Sequence, residues 1–258
     1  MSDSEIKQAS PGNRLSRRQA LGSLSLFGLI GPALLVSCGG EDSSNPAEIS
    51  AATEVDSDAT VGGSCVLIPQ ETEGPYPLTA VLSNSAMVRQ DITEGKSGIP
   101  LTLKLSLVDV NNGCAAVTNA SVYVWHCDKE GVYSGYSQPG ANTIGETFCR
   151  GIQDTDANGE VTFATIYPGW YAGRITHIHF QVFLFSSTLA TATSQLAFPQ
   201  AITIDVYNTD LYGKGQNTSV MSFSNDNVFS DGITYQMASV SGNVEDGYSA
   251  TLQVGIAV

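Results

Sequence analysis

Two of the three histidines in the chain, His177 and His179, are separated by a single residue. In an extended segment the side chains of residues i and i+2 point to the same face, so both imidazoles would project into one space. Such a pair supplies half of a metal site. The same pattern also occurs on polar sheet faces that bind nothing, and the pair alone does not decide between the two.

The common partners of such a pair are missing from the neighbouring sequence. Residues 180–185 hold no carboxylate and no histidine follows His179, so neither a ferrous facial triad nor a cupin-type site is completed. A zinc site made of histidines alone would need His126 from a separate segment.

Tyr171 lies six residues before His177 and is a different kind of donor. A phenol has a pKa of about 10, so it ligates as a phenolate only to a strong Lewis acid. Ferric iron favours anionic oxygen and accepts imidazole, which makes it the natural candidate. The alternative is that the tyrosines are ordinary core phenols with hydrogen-bonded hydroxyls.

The histidines lie in one of several segments with strand-like patterning. Leucines occupy every second position from 101 to 107, with polar residues between them, which predicts a half-buried strand. Short strands separated by turn residues favour an all-β fold, an antiparallel β-sandwich or barrel. Further strands are predicted at 121–125, 161–166, 177–184, 201–206 and the C-terminal residues Leu252, Val254, Ile256 and Val258.

The segment from Asp154 to Gly159 superficially resembles a calcium loop. An EF-hand would require a glutamate at its twelfth position, which is Thr165 here, and flanking helices. We therefore interpret Asn158-Gly159 as a hairpin turn.

The chain has 258 residues, 42% of them hydrophobic and 14% charged, which excludes a disordered or collagen-like chain. Its net charge of -14 leaves no basic surface for phosphates, so nucleic acid is not expected as a partner.

Residues 1–37 resemble an export signal, with Arg17-Arg18 similar to a twin-arginine motif and an apolar stretch after it. Residues 35–38 resemble a lipobox, which would make Cys38 the lipidated first residue of the mature protein; an ordinary signal peptide is the alternative. Residues 38–64 have the composition of a disordered tether. We therefore expect an exported bacterial lipoprotein, anchored to a membrane through Cys38 and either periplasmic or on the cell surface, with residues 65–258 as its folded domain.

Four cysteines remain in the folded domain, at positions 65, 114, 127 and 149. An even number in a chain sent to an oxidising compartment predicts two disulfides, with three possible pairings. Buried free thiols are the alternative.

Several segments, taken in order, resemble the intradiol ring-cleavage dioxygenases. Residues 169–180 (GWYAGRITHIHF) are similar to the iron-binding segment of that family, and residues 124–133 (VWHCDKEGVY) to the segment that supplies its first tyrosine. Residues 71–76 (ETEGPY), Arg150-Gly151 and Thr155-Asp156 also match family motifs. The resemblance covers about residues 65–207 and implies an antiparallel β-sandwich of the intradiol dioxygenase type.

The resemblance implies a ferric site whose ligands are Tyr133, Tyr171, His177 and His179. Tyr171 and His179 would be the axial ligands, and Tyr171 would leave the ion when substrate binds. By the same resemblance Arg174 stabilises charge shifted onto the substrate ring, and Gln195 lines the same pocket. The implied activity is cleavage of a catecholic ring between its two hydroxylated carbons, with O2, to a muconate-type diacid.

The chain departs from the catechol and protocatechuate enzymes in two places. Only five residues, 172–176, separate Tyr171 from His177, where those enzymes have a longer insertion that walls the pocket. The helical dimerisation domain of the catechol enzymes has no counterpart in residues 39–64. The pocket is therefore expected to be more open, and the identity of the catechol and the oligomeric state stay open.

Two functions other than a dioxygenase are alternatives for this sequence. One is a surface lipoprotein that uses this fold to bind aromatics, ferric catecholates or glycans without turnover. The other is a hydrolase, but the sequence has no G-x-S-x-G elbow.

Overall fold

The computed structural model describes residues 65–258. The predicted export signal, Cys38 and the predicted tether lie outside the described residues, and the domain boundaries stay predictions. Within the described part of the chain, no helix has the length and apolar character that a bilayer span requires.

The described chain contains β-strands, one α-helix and four short 3-10 helices. The 3-10 helices are Thr79–Ser83, Ser85–Met87, Phe223–Asn225 and Phe229–Asp231. The other elements are β1 (Pro100–Asp109), β2 (Ala115–Ala116), β3 (Ser121–Trp125), β4 (Ser137–Gln138), β5 (Ala141–Asn142), β6 (Arg150–Asp154), β7 (Glu160–Ile166), β8 (His177–Phe183), β9 (Ala192–Ala197), α1 (Gln200–Tyr207), β10 (Ser239–Asn243) and β11 (Gly247–Ile256).

Two main sheets form the domain. One has the order β10-β11-β1-β2, with β7 also paired to β1, and the other has the order β6-β3-β8-β9. All pairs are antiparallel except β1 and β11, which run parallel. The predicted all-β sandwich is therefore confirmed, with one parallel pair inside an otherwise antiparallel architecture.

The two sheets share one apolar core. Leu103 and Leu105 of β1 lie in the same buried cluster as Val124 of β3 and Phe180 of β8. Because the pleat sends alternate residues to opposite faces, the residues of β8 that flank Phe180 point away from this core. His177, His179 and Gln181 therefore lie on the outer face of the four-stranded sheet.

The prediction of a strand at 201–206 is wrong, because this segment forms the helix α1. Its apolar residues alternate, but Ile202, Val206 and Tyr207 also lie on one side of a helical turn and pack on the core. Pro199, immediately before the helix, is typical of a helix start. A short apolar run fits both the two-residue period of a strand and the 3.6-residue period of a helix. Here the contacts with the core stabilise the helix.

Asn158-Gly159 does form a turn, but the interpretation of this turn as a β-hairpin is wrong. The turn joins β6 to β7, and these strands belong to different sheets. The Asp156 carboxylate accepts hydrogen bonds from the backbone N–H groups of Asn158 and Glu160, at 2.8 and 2.9 Å. The acidic side chain therefore stabilises the turn itself.

The four cysteines of residues 65–258 form one disulfide, so the prediction of two is wrong. Cys65 and Cys114 are bonded, with their Cα atoms 5.7 Å apart, whereas Cys127 and Cys149 are buried free thiols. The thiol of Cys127 points toward the carbonyl oxygen of Gly169, at 3.5 Å. Burial raises the pKa of both free thiols, which keeps them protonated and unreactive.

Removing the disulfide should cost substantial stability. The bond joins residues 49 apart, and replacing Cys65 and Cys114 by serine should lower the free energy of unfolding by about 2–4 kcal/mol. Alkylation without reduction, followed by peptide mass spectrometry, should label Cys127 and Cys149 in the unfolded chain and leave Cys65 and Cys114 unlabelled. Labelling of Cys65, or protection of Cys127, would contradict the pairing.

Candidate metal centre

The two histidines of β8 are held by the neighbouring strands. His179 pairs in register with Trp125 of β3 on one side and with Gln195 of β9 on the other. The Trp125 indole stacks on the His179 imidazole, with ring centroids 4.8 Å apart and planes 8° from parallel. Both histidines are only 2% exposed.

The ring of His177 is oriented by a backbone contact. Its Nδ1 lies 2.5 Å from the carbonyl oxygen of Ile175, so Nδ1 carries the proton and donates it there. The Nε2 atom of His177 is therefore the nitrogen with a free lone pair.

Tyr133 and Tyr171 reach the histidines from two loops. Tyr133 follows β3 after a tight turn organised by Asp128, whose carboxylate accepts from the backbone N–H groups of Glu130 and Val132. This turn requires glycine at 131, because its φ is +85° and an added Cβ would lie 2.1 Å from the carbonyl oxygen of Trp170. Tyr133 is buried by the loop, whereas Tyr171 is half-buried just before β8.

The four predicted ligands converge on one point. The His177 Nε2 atom lies 3.0 Å from His179 Nε2, 3.2 Å from the Tyr171 hydroxyl and 3.3 Å from the Tyr133 hydroxyl. Two ligands bound about 2.1 Å from one ion at right angles are about 3.0 Å apart. The observed separations are those that ligands sharing a single ion would have.

Hydrogen bonding alone does not account for this convergence. A neutral imidazole nitrogen has one lone pair, and His177 Nε2 faces three potential ligands and the Arg174 Nη1 atom, 3.4 Å away. His179 Nδ1 is buried and has no hydrogen-bond partner in residues 65–258. One cation would satisfy the Nε2 atoms of both imidazoles and the oxygens of both phenols together, with the proton of His179 on its Nδ1 atom.

No group of three or more His, Cys, Asp and Glu side chains in residues 65–258 is arranged to hold a metal ion. A shell around the histidine pair would therefore use other donors, and the hydroxyls of Tyr133 and Tyr171 lie within 3.3 Å of His177 Nε2. A donor set of two phenolates and two imidazoles suits a hard, trivalent cation, and ferric iron fits it.

Burial keeps all four predicted ligands in their neutral forms when no ion is present. It raises the pKa of Tyr171 to about 12 and raises that of Tyr133 well above its usual value, with the nearby Tyr171 adding to the second shift. Burial, reinforced by the Arg174 charge, lowers the pKa of His177 to about 3, and that of His179 also falls. The histidines are thus ready to ligate at neutral pH, whereas the tyrosines lose their protons only to a strong Lewis acid.

Arg174 and Gln195, the other two predicted site residues, are in contact with each other beside His177. The Arg174 Nη2 atom donates to the side-chain oxygen of Gln195 at 2.6 Å, and Gln195 donates to the carbonyl oxygen of Thr72 at 2.9 Å. Gln195 is therefore connected to the centre through Arg174, which lies between it and His177.

Aromatic side chains surround the centre, and a cleft opens beside Tyr171. The ring of Tyr76 lies 4.9 Å from that of Tyr133, and the ring of Phe229 lies 6.4 Å from that of His177. The cleft has a volume of about 410 Å3 and is lined by Tyr76, Val132, Gln138, Pro139, Tyr171 and Lys214.

His126 and Trp170 lie apart from the four ligands. Both ring nitrogens of His126 are hydrogen-bonded elsewhere, to the Cys127 carbonyl and the Thr165 hydroxyl at 2.8 Å each. The Trp170 indole donates to the carbonyl oxygen of Gly215. A zinc site that recruits His126 is therefore not formed.

Comparison with known proteins gives a structural likeness only. No protein-family model and no curated protein sequence matches the chain. An intradiol ring-cleavage dioxygenase from Tetranychus urticae is 28% identical with a TM-score of 0.65, and the match covers 75% of this chain and 95% of that one.

This domain has the fold of the intradiol ring-cleavage dioxygenases. Two further structures share the fold. The dioxygenase domain of a carbohydrate-binding fusion protein from Streptomyces sp. SirexAA-E is 24% identical, with a TM-score of 0.53 and coverage of 75% of this chain and 99% of that one. A chlorocatechol 1,2-dioxygenase from Pseudomonas putida is 19% identical, with a TM-score of 0.51 and coverage of 73% and 72%.

The likeness to the intradiol dioxygenases covers a larger share of the chain than residues 65–207, which carry the sequence resemblance. Beyond that segment, sequence reasoning missed Asp226 and Phe229, both of which contact site residues. Trp125 lies within residues 124–133, and no sequence pattern indicates that its ring stacks on His179. Asp226 lies in an irregular segment with no periodic pattern, so nothing in the local sequence pointed to it.

The buried histidines predict acid sensitivity in the metal-free protein. Burial lowers the pKa of His126 to about 4 and that of His177 to about 3, while the unfolded chain binds these protons below about 6.5. The free energy of unfolding should therefore be at its maximum above about pH 6.5. It should fall as the pH drops toward 4.5, by about 1.4 kcal/mol per pH unit for each buried histidine.

Urea unfolding midpoints across this range measure the effect. Glu71, whose pKa is raised by burial, acts in the opposite sense as the pH falls. An unfolding free energy that stays constant between about pH 6.5 and 5 would contradict the burial of neutral histidines.

Proposed function

We propose that residues 65–258 form an Fe(III)-dependent intradiol dioxygenase that cleaves a catecholic ring between its two hydroxylated carbons, using O2, to a muconate-type diacid. The observation that carries the proposal is that three potential ligand atoms lie within 3.3 Å of His177 Nε2. They are the hydroxyl oxygens of Tyr133 and Tyr171 and the Nε2 atom of His179. A ferric ion, when bound, would supply the Lewis acidity that ionises a catechol and the redox partner that makes its ring reactive toward O2.

The two tyrosines are positioned for different tasks. Tyr133 is 1% exposed and packed against Tyr76, so it would serve as a permanent ligand. Tyr171 is half-buried and lines the cleft, so a substrate entering there meets it first. With a pKa of about 12, a released Tyr171 phenolate is a base strong enough to take a proton from a catechol hydroxyl at its Oη.

Arg174 is the cation nearest to the centre. Its Nη1 atom is 3.4 Å from His177 Nε2, so its charge acts on any ring bound at the same point. Because it is only 8% exposed, that charge is weakly screened by water. It would stabilise negative charge that develops on the substrate ring.

Oxygen uptake with a panel of catechols tests the proposal. The purified protein, loaded with iron, should show a visible tyrosinate-to-iron charge-transfer band and consume one O2 per ring cleaved. A band and tight catechol binding without oxygen uptake would favour the alternative, a lipoprotein that binds aromatics or ferric catecholates. Absence of the band after reconstitution would contradict the ferric site itself.

Tyr171→Phe separates the proposed chemistry from folding. The variant should lose turnover by about 100-fold or more, because the proton acceptor is gone, while its unfolding free energy changes by about 1 kcal/mol or less. Iron should remain bound with a weaker band that comes from Tyr133. Tyr235→Phe is a matched control on an exposed tyrosine and should behave as the wild type. Undiminished turnover in Tyr171→Phe would contradict its role.

We also propose that residues 1–37 direct export and that Cys38 carries a lipid, which would hold the domain at a membrane on a tether of residues 38–64. The twin-arginine pair supports this, since that route exports folded proteins and would carry a loaded site intact. In bacterial cells Cys38→Ser should move the protein from the membrane fraction to the soluble fraction. Unchanged fractionation would contradict lipid anchoring.

A further inference from the structure

Asp226 is a buried carboxylate in the segment between the 3-10 helices Phe223–Asn225 and Phe229–Asp231. We propose that it is a positioning residue, which holds the Arg174 guanidinium against the metal centre. The catalytic part of this inference rests on the proposed function.

The contacts of Asp226 are those of a fixed anion. The Arg174 Nε atom donates to its two carboxylate oxygens at 3.1 and 3.0 Å. Backbone N–H groups of Ile175, Val228 and Phe229 donate to the same carboxylate at 2.7, 2.9 and 3.1 Å. Its solvent exposure is 0%, so every one of these bonds is shielded from water.

The three nitrogens of the Arg174 guanidinium are each directed to a different place. Nε is held by Asp226 and Nη2 by the Gln195 side chain at 2.6 Å. Because the group is planar, fixing these two positions determines where the third nitrogen points. Nη1 is then directed at His177 Nε2, 3.4 Å away, and toward the shared ligand point.

Charge gives a second reason for a carboxylate at this position. A guanidinium this close to a trivalent ion would be repelled, and the buried Asp226 carboxylate forms an ion pair with Arg174, with 3.0 Å between Nε and Oδ2. On another side of the guanidinium lies the ring of Phe229, 5.5 Å from it, which supplies no negative charge. Asp226 therefore offsets the repulsion and keeps the cation in place before substrate arrives.

The same carboxylate also supports a metal ligand indirectly. It accepts from the backbone N–H of Ile175, and the carbonyl oxygen of Ile175 accepts from His177 Nδ1. One side chain thus fixes both the arginine and the backbone that orients His177.

Asp226→Asn tests the proposal with little change in shape. The amide oxygen can still accept from the backbone of Val228 and Phe229, but the charge is lost and the amide nitrogen turns a donor toward Arg174 and the Ile175 N–H. We expect kcat to fall at least about tenfold, with KM changed less than about threefold and with iron content and charge-transfer colour retained. Asp246→Asn, on an exposed turn between β10 and β11, is the matched control and should leave kcat unchanged.

A double-mutant cycle with Arg174→Met distinguishes positioning from a merely structural role. If Asp226 acts mainly through Arg174 and not through the backbone of Ile175, adding Asp226→Asn to Arg174→Met should lower kcat less than about twofold further. Equal losses in both backgrounds, or an unchanged kcat in Asp226→Asn, would overturn the proposal.

Denaturant midpoints of the same variants give a readout that does not depend on turnover. Arg174→Met leaves the Asp226 charge buried and unpaired, so the double variant should unfold at a higher denaturant concentration than Arg174→Met. A double variant that unfolds earlier would show that Asp226 serves the fold independently of Arg174, and would overturn the proposal. If wild-type protein cleaves no catechol, the proposed function fails, and these midpoints still decide whether Asp226 holds Arg174.

Discussion

The candidate site depends on the groups that surround one nitrogen atom, His177 Nε2. His177 Nε2 has a single lone pair, yet three potential ligands and a guanidinium lie within 3.4 Å of it. Among neutral side chains only one of these groups can donate to that lone pair. A single cation is the simplest object that makes the arrangement stable. The phenols then become anions, which would otherwise be unfavourable in an apolar setting.

The sandwich provides this point on the outer face of one sheet, away from the core between the sheets. Phe180 and its neighbours on the inner face of β8 pack in the core and anchor the strand. The histidines on the other face are not needed for that core and can bind a ligand. Loops from three parts of the chain then cover them: one carries Tyr133, one carries Tyr171 and Arg174, and one carries Asp226. The chemistry therefore lies in loops, while the rigid strand fixes the reference point.

Sequence patterns predicted the parts of this arrangement that have a short-range cause. The i and i+2 spacing of His177 and His179 and the alternation of β1 follow from the pleat, and the structure has both. The meeting of Tyr133 and Tyr171 with those histidines was predicted from the family resemblance, since no local rule relates Tyr133 to a histidine 44 residues away and the loop that carries Tyr171 has no periodic pattern. The strand predicted at 201–206 is a helix because a short apolar run fits either period. Asp226 could not be predicted from the sequence. Its partner Arg174 is distant in sequence, and an isolated aspartate in an irregular segment belongs to no pattern.

The location of bound iron tests the account most directly. A crystal of the iron-loaded protein, measured at the iron absorption edge, should show one strong anomalous peak in the domain. The account predicts that this peak lies about 2.0–2.2 Å from the hydroxyl oxygens of Tyr133 and Tyr171 and from the Nε2 atoms of His177 and His179. A peak at another position, or iron held by fewer than both histidines and one tyrosine, would contradict it.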